Sequence, residues 1–272
     1  MRKLFRQRLG MFAMAVGMAW VGAPGGRAQT VQEQAIERLR QEIRDQPEQL
    51  DLVLELGNAA VAAGNLDLAL ESFRGVLEHL EPDSRGAGDL HLRIGETQRR
   101  KGDQAAAIVS LKRASELLPD QPVVMGTLAL VLDGAGKTAE AERAYRATLQ
   151  LDPENAIAMN NLAYLLSENG GSLDEALQLA KQAEALSPEM GEAADTLGWI
   201  YLKKNLAEAA IREFEKVMGM EPERATYHLH LGMALSQKGD RPAAIAQLNE
   251  ALRCNATAGE AEKIRQLLAV EK

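Results

Sequence analysis

Four histidines and a single cysteine are the chain's whole stock of imidazole and thiol. His79 and His91 stand apart in the sequence. His228 and His230 are an i, i+2 pair, which a helix points to different sides, so a shared metal is not expected. Cys254 has no second thiol for a disulfide or a redox pair. Beside Leu248, Ala251 and Leu252 it reads as a small buried hydrophobe on a helix. Gly134-Ala-Gly136-Lys137-Thr138 has a distant likeness to a phosphate-binding loop, but it lacks the first glycine and the preceding strand that such a loop needs, so it reads as a turn. Asn255-Ala-Thr257 would accept a glycan only in a eukaryotic secretory host. Arg93, Arg99, Arg100 and Lys101 read as the solvated end of a helix. No nucleophile, base and orienting group stand at a credible spacing, so the expectation is a chain that is not an enzyme and holds no cofactor and no metal.

The elements that must position any functional side chain are helices. Hydrophobic residues make up 46% of the chain but aromatics only 4%, so the apolar surface comes from Ala, Leu, Ile, Val and Met. Period-two alternation of β-branched and aromatic residues is nearly absent after residue 30, while strong helix formers dominate; no sheet is expected.

The first residues differ in kind. Arg2, Lys3, Arg6 and Arg8 precede an uncharged stretch from Leu9 to Gly26, and Gly26-Arg27-Ala28 supplies small residues around a cut after Ala28. Residues 1–28 read as a secretory signal peptide; the alternative is an uncleaved anchor helix, although Pro24, Gly25 and Gly26 stop the apolar run short of the roughly 20 residues that cross a bilayer. The rest is expected to be exported, periplasmic or secreted, with no stable membrane insertion after signal removal. Without the leader, 26 basic residues face 39 acidic ones, a net charge near −13. That balance excludes a basic nucleic-acid footprint and argues against docking on anionic lipid.

Small residues recur with a period of about 34. A Gly or Ala follows Leu or Ile at Leu56-Gly57, Ile94-Gly95, Leu128-Ala129, Leu162-Ala163, Leu197-Gly198 and Leu231-Gly232. Alanines follow at 69, 107, 141, 176, 210 and 244, and four residues later come Phe73, Leu111, Tyr145, Ala180, Phe214 and Leu248, with Ala180 undersized. Pro119, Pro153, Pro188 and Pro222 close their repeats, and Pro82 falls one place late. Each repeat reads as two amphipathic helices. Gly64, Gly102, Gly136, Asn205 and Gly239 end the first, and proline stops the second. The paired small residues let the two helices approach closely. Gly170-Gly171 adds a residue to one turn, and Ser172-Leu-Asp-Glu175 reads as a capping box that restarts the helix.

These residues are similar to the tetratricopeptide (TPR) pattern W-x2-L-G-x2-Y, A-x3-F, A and P, and the resemblance covers nearly all of the chain after the leader. Asp195-Thr-Leu-Gly-Trp-Ile-Tyr through Phe214 and Pro222 matches best. The implied fold is all-α: a right-handed superhelical solenoid of antiparallel helix pairs with six repeats, at 50–83, 88–121, 122–155, 156–190, 191–224 and 225–258. A capping helix is expected at 29–49 and another at 259–272, with Ile264, Leu267 and Leu268 on one face. Ser84 to Ala87 is an insertion between the first two repeats.

The resemblance also implies a function: a scaffold that binds a peptide or helix of partner proteins in a concave groove lined by the first helices. Positions two, five, nine and twelve of each repeat share that stripe. They give Asn58 and Val61, Glu96 and Arg99, Leu130 and Asp133, then Asn160, Tyr164 and Ser167, Asp195, Trp199 and Leu202, and Leu229 and Met233. The expected groove is an aromatic and polarizable floor of Tyr164, Trp199 and Met233 flanked by Asn160, Asn161, Asp195 and His230. Amides there would hold a partner's backbone, and rigid aromatics would supply contact area at low entropy cost. The alternative is that Tyr164 and Trp199 pack between neighbouring helices. The lysines and arginines of carboxylate-clamping TPR proteins are missing at Leu54, Val123 and Thr127. Bacterial exported proteins of this kind suggest a role in envelope assembly or secretion, or as a non-catalytic subunit of an envelope enzyme system for exopolysaccharide or cytochrome maturation.

Overall fold

The computed structural model describes residues 30–270, so the leader lies outside the described residues. Fourteen helices and no strand are found among them. The chain divides into two compact units, the first ending at Gly136 and the second starting at Lys137. The first holds α1 (Val31–Asp45), α2 (Leu50–Ala62), α3 (Leu66–Leu77), α4 (Arg85–Arg100), α5 (Gln104–Leu117) and α6 (Pro122–Gly134). The second holds α7 (Thr138–Leu151), α8 (Ala156–Glu168), α9 (Leu173–Leu186), α10 (Gly191–Lys203), α11 (Ala207–Met220), α12 (Ala225–Lys238), α13 (Arg241–Arg253) and α14 (Ala258–Val270).

Helix starts follow side-chain chemistry. Asn65, Ser84, Asp103, Asn155 and Asp240 each accept a hydrogen bond from a backbone N–H three residues on, satisfying a donor that the first turn leaves open. Ser172 does the same for Glu175 at 3.3 Å. The reciprocal half of the expected capping box is not made: Glu175 turns to Arg146 at 2.6 and 3.2 Å, a charge-assisted pair that outcompetes a single backbone N–H. Residues 84–87, inserted between repeats, form the cap and first turn of α4, and Ala87 is buried. At the turns inside repeats, Gly64, Gly102, Gly136 and Gly239 have φ between 70° and 89°, and Asn205 has φ 59°. Gly170, in the lengthened turn, also has positive φ.

Packing within a repeat depends on the small residue of its first helix. A Cβ at Gly57 would fall 2.5 Å from the Phe73 ring, and one at Gly198 would fall 2.6 Å from the Phe214 ring. Both phenylalanines are fully buried, each contributing about 1.5–3 kcal/mol of apolar transfer energy. The fourth repeat reverses the arrangement, with Ala163 on the first helix and the undersized Ala180 on the second, both fully buried.

The core of the first unit runs from Leu39 and Ile43 of α1 through Leu56 and Phe73 to Ile94. In the second unit, Trp199, Leu202, Phe214 and Leu231 form one cluster and Leu229, Leu248, Ala251 and Ile264 another. The end helices thus bury an apolar stripe of the repeats next to them: Ile36, Leu39 and Ile43 from α1, Ile264 from α14. Cys254 sits just past α13 as its cap, half-buried where full burial was expected, because the chain turns there through the left-handed Asn255. Burial, then Glu250 and Glu223, push its thiol upward, away from the thiolate form.

Candidate partner-binding site

The first helices of the second unit, α8, α10, α12 and α14, are tied by side-chain bonds that recur at about one repeat. His230 Nδ1 lies 2.8 Å from Asp195 Oδ1, and because a carboxylate only accepts, Nδ1 carries the proton. Gln237 on α12 donates to the Leu202 carbonyl at 3.2 Å and to Asn205 Oδ1 at 3.1 Å. Lys203 on α10 donates to the Ser167 carbonyl at 3.1 Å and pairs with Glu168 at 2.8 Å. Thr226 donates to Glu260 of α14 at 2.6 Å. The first unit repeats the pattern, with Arg93 donating to Asn58 at 2.9 Å.

Asp195, Trp199 and His230 are brought into one cluster. The imidazole of His230 stacks on Trp199 at 4.8 Å between centroids and approaches Phe214 at 5.5 Å. Trp199 Nε1 donates to Glu168 at 2.6 Å, and the ammonium groups of Lys203 and Lys263 stand 5.4 and 5.2 Å from its ring centroid. Trp199 is consequently only 9% exposed, packed between α8 and α12 instead of lying open as a floor. Burial works to raise the Glu168 carboxyl, but Lys203, the Trp199 N–H and Lys263 outweigh it and hold it below the ordinary carboxylate range. Met233 on α12 is half-buried and packs against both core clusters, including the α14 side.

Asn160, Asn161 and Tyr164 form a second group, on α8. Tyr164 is 46% exposed, and Ile157, seven residues earlier on the same stripe, is 65% exposed. Between them Asn160 is 7% exposed; its Nδ2 donates to Asn161 Oδ1 at 3.3 Å, while its buried Oδ1 has no hydrogen-bond partner. An unpaired buried carbonyl costs about 1–3 kcal/mol, which favours any turn of the side chain that brings the oxygen to a donor. Ser167, Leu202 and Leu229, read from the sequence as part of the open stripe, are buried: the stripe closes toward the C-terminus as neighbouring first helices pack over it.

In the first unit, Asn58, Val61, Arg93, Glu96 and Arg100 line a cavity of about 130 Å³ together with Phe73 and Thr97. Asn58, Val61 and Glu96 belong to the expected stripe, whereas Arg93 and Arg100 were read as solvated charge. Lys101, from the same basic run, pairs with Asp67 on α3. Among the described residues no group of three or more His, Cys, Asp or Glu is placed to hold a metal ion. The two neighbouring histidines go separate ways, since His228 bonds to Gln247 and to the Pro222 carbonyl, both at 2.8 Å. Sequence reasoning missed Glu168, Lys203 and Lys263; the first two stand one and four residues from stripe positions, but nothing local marks Lys263 as a neighbour of Trp199.

Known proteins share this arrangement of paired helices. The family model described as Tetratricopeptide repeat matches residues 33–87, 54–122, 127–190 and 196–259. Cellulose synthase operon protein C of Xanthomonas axonopodis pv. citri is 30% identical over 233 residues, covering 76% of this chain and 15% of that protein. Type IV pilus assembly protein PilF of Pseudomonas aeruginosa is 26% identical over 147 residues, covering 53% of this chain and 58% of that protein. The chain therefore spans less than two thirds of either relative. A solved tetratricopeptide repeat protein from Parabacteroides merdae superposes with a TM-score of 0.66 over 97% of this chain and 99% of that one at 16% identity, a likeness of fold alone. With small residues closing each helix pair, left-handed turns between its helices and a family match over most of its length, the chain belongs to the tetratricopeptide repeat family, whose members generally mediate protein–protein interaction.

Proposed function

We propose that the chain is a non-catalytic scaffold that takes a peptide or helix of a partner protein along the first helices of its second compact unit, in the bacterial envelope. The observation that carries this reading is the α8 stripe. It presents the exposed side chains Ile157 and Tyr164 on either side of an amide oxygen that is buried and unpaired. Apolar anchors give a partner contact area, and the carboxamide of Asn160, unpaired at its oxygen, gains a donor for that oxygen if it turns outward to a peptide N–H. Such a site holds a chain in place and does no bond chemistry. The expected leader supports work outside the cytoplasm, and the likeness to a pilus assembly protein supports a role in envelope assembly or secretion. A second reading, as a non-catalytic subunit of an exopolysaccharide system, is favoured by the likeness to cellulose synthase operon protein C.

A photo-crosslinking residue placed at 164, and separately at Gln178 on the exposed face of α9, tests the groove in native envelope. Crosslinks to one or a few proteins from position 164 and none from 178 are expected. Equal labelling from both positions, or none from 164, would sink the reading.

A further inference from the structure

Side-chain bonds among the first helices of the second unit join neighbours about one repeat apart. Lys263 breaks that rule. It stands on α14, beyond α12, yet its ammonium lies 5.2 Å from the ring centroid of Trp199 on α10. The helix beneath it is fixed on either side by Glu260, which accepts from Thr226, and by the fully buried Ile264. Lys263 itself makes no ion pair among the described residues, whereas Lys203, the other cation on the ring, is bound to Glu168 and to the Ser167 carbonyl. Lys263 is exposed, and the ring it meets has two carboxylates close by, Glu168 on the indole N–H and Asp195 on the stacked His230, against the single further ammonium of Lys203.

We propose that the face of Trp199 is a seat for a basic side chain of the bound partner, and that Lys263 fills this seat in the free protein as an intramolecular surrogate. The proposal rests on reading the first-helix face as the partner site. An indole face attracts a cation through its quadrupole, and the attraction is modest where water reaches the cation, so a tethered lysine holds the seat without locking it. An incoming arginine has the advantage, because its planar guanidinium stacks flat on the ring while a neighbouring carboxylate accepts its N–H groups. Displaced, Lys263 returns its ammonium to water, and the incoming cation takes over its attraction to Glu168. The chain's net charge of −8 favours the approach of such a partner.

The test uses the full chain and fluorescein-labelled, amidated nonapeptide pools with uncharged residues at every position but the centre, which is arginine in one pool and its neutral isostere citrulline in the other. Fluorescence anisotropy then compares wild type with Lys263→Ala, Lys238→Ala and Trp199→Leu. The arginine pool is expected to bind more tightly than the citrulline pool, and Lys263→Ala to tighten the arginine pool alone by about two- to five-fold. Lys238→Ala, which removes the same charge from the end of α12, is expected to change neither pool. Trp199→Leu, checked for helicity, is expected to abolish the preference for arginine. If both pools bind equally and Lys263→Ala changes nothing, or if Lys238→Ala acts as Lys263→Ala does, the seat is refuted while the groove reading stands. If neither pool binds any variant, the groove reading falls, and the seat falls with it.

Discussion

Replacing Gly198 by alanine tests the packing rule on which the helix pairs depend. The new Cβ would lie 2.6, 2.9 and 3.0 Å from three carbons of the Phe214 ring, inside the contact distance of about 3.5 Å between carbon atoms. Phe214 is fully buried, so the ring cannot step aside without moving α11 against α10. Overpacking of this kind costs about 1–3 kcal/mol, and rigid surroundings put this case in the upper half of that range. Alanine recovers about 1 kcal/mol of helix propensity, leaving a net loss of about 1–2 kcal/mol. Gly219, on the same pair of helices, has open space where its Cβ would go, so Gly219→Ala should stabilise by about 0.5–1 kcal/mol. Urea denaturation followed by helical circular dichroism reads both changes from the midpoint and slope. The double variant Gly198→Ala, Phe214→Ala reproduces the pairing of Ala163 with Ala180 in the fourth repeat. Phe214→Ala alone costs about 3–5 kcal/mol, but in that background Gly198→Ala should carry no penalty. If Gly198→Ala is as stable as wild type, or its penalty persists when Phe214 is gone, contact with the ring is not what requires glycine.

Two further outcomes follow from the structure. Asn205 holds a left-handed φ of 59° at the end of α10 and accepts from Gln237, so Asn205→Ala should lower stability by about 1–2 kcal/mol in the same urea assay; an unchanged midpoint would refute the strain. Glu175, Glu192 and Glu260 have carboxyls held below their ordinary range, by Arg146, by Arg224, and by the hydroxyls of Thr226 and Thr257. Their folded values are depressed, so the stability they contribute is present above the usual glutamate range near 4.5 and is lost as pH falls through the folded values. Asp133 and Glu213, raised by burial, oppose this at higher pH. The urea midpoint should therefore fall steeply below pH 4.5, and less steeply in Glu175→Gln; a midpoint flat down to pH 3 would contradict the assignment.

The sequence by itself determined the helix pairs, their turns and their register, because these depend on local or periodic chemistry. A residue without a side chain must stand opposite Phe73 or Phe214, a left-handed turn takes glycine or asparagine, and proline cannot continue a helix. Those requirements recur every 34 residues and are legible without coordinates. The positions of a stripe on one helix were equally legible, which is why Asn160 and Tyr164 do share a face of α8, although Ile157 on the same face was not read from the sequence. Tertiary structure alone decided how open each stripe position stays. Burial of a first-helix residue depends on the helices one and two repeats away, and these are set by inter-repeat packing that no local window contains. Trp199 occupies the position in its repeat that Tyr164 occupies in the preceding one. Tyr164 stays exposed, while His230, Lys203 and Lys263 close over Trp199. Lys263 shows the limit most clearly, since the sequence marks it only as a charge on a capping helix, and its place over an indole 64 positions earlier exists only once α10, α12 and α14 are stacked.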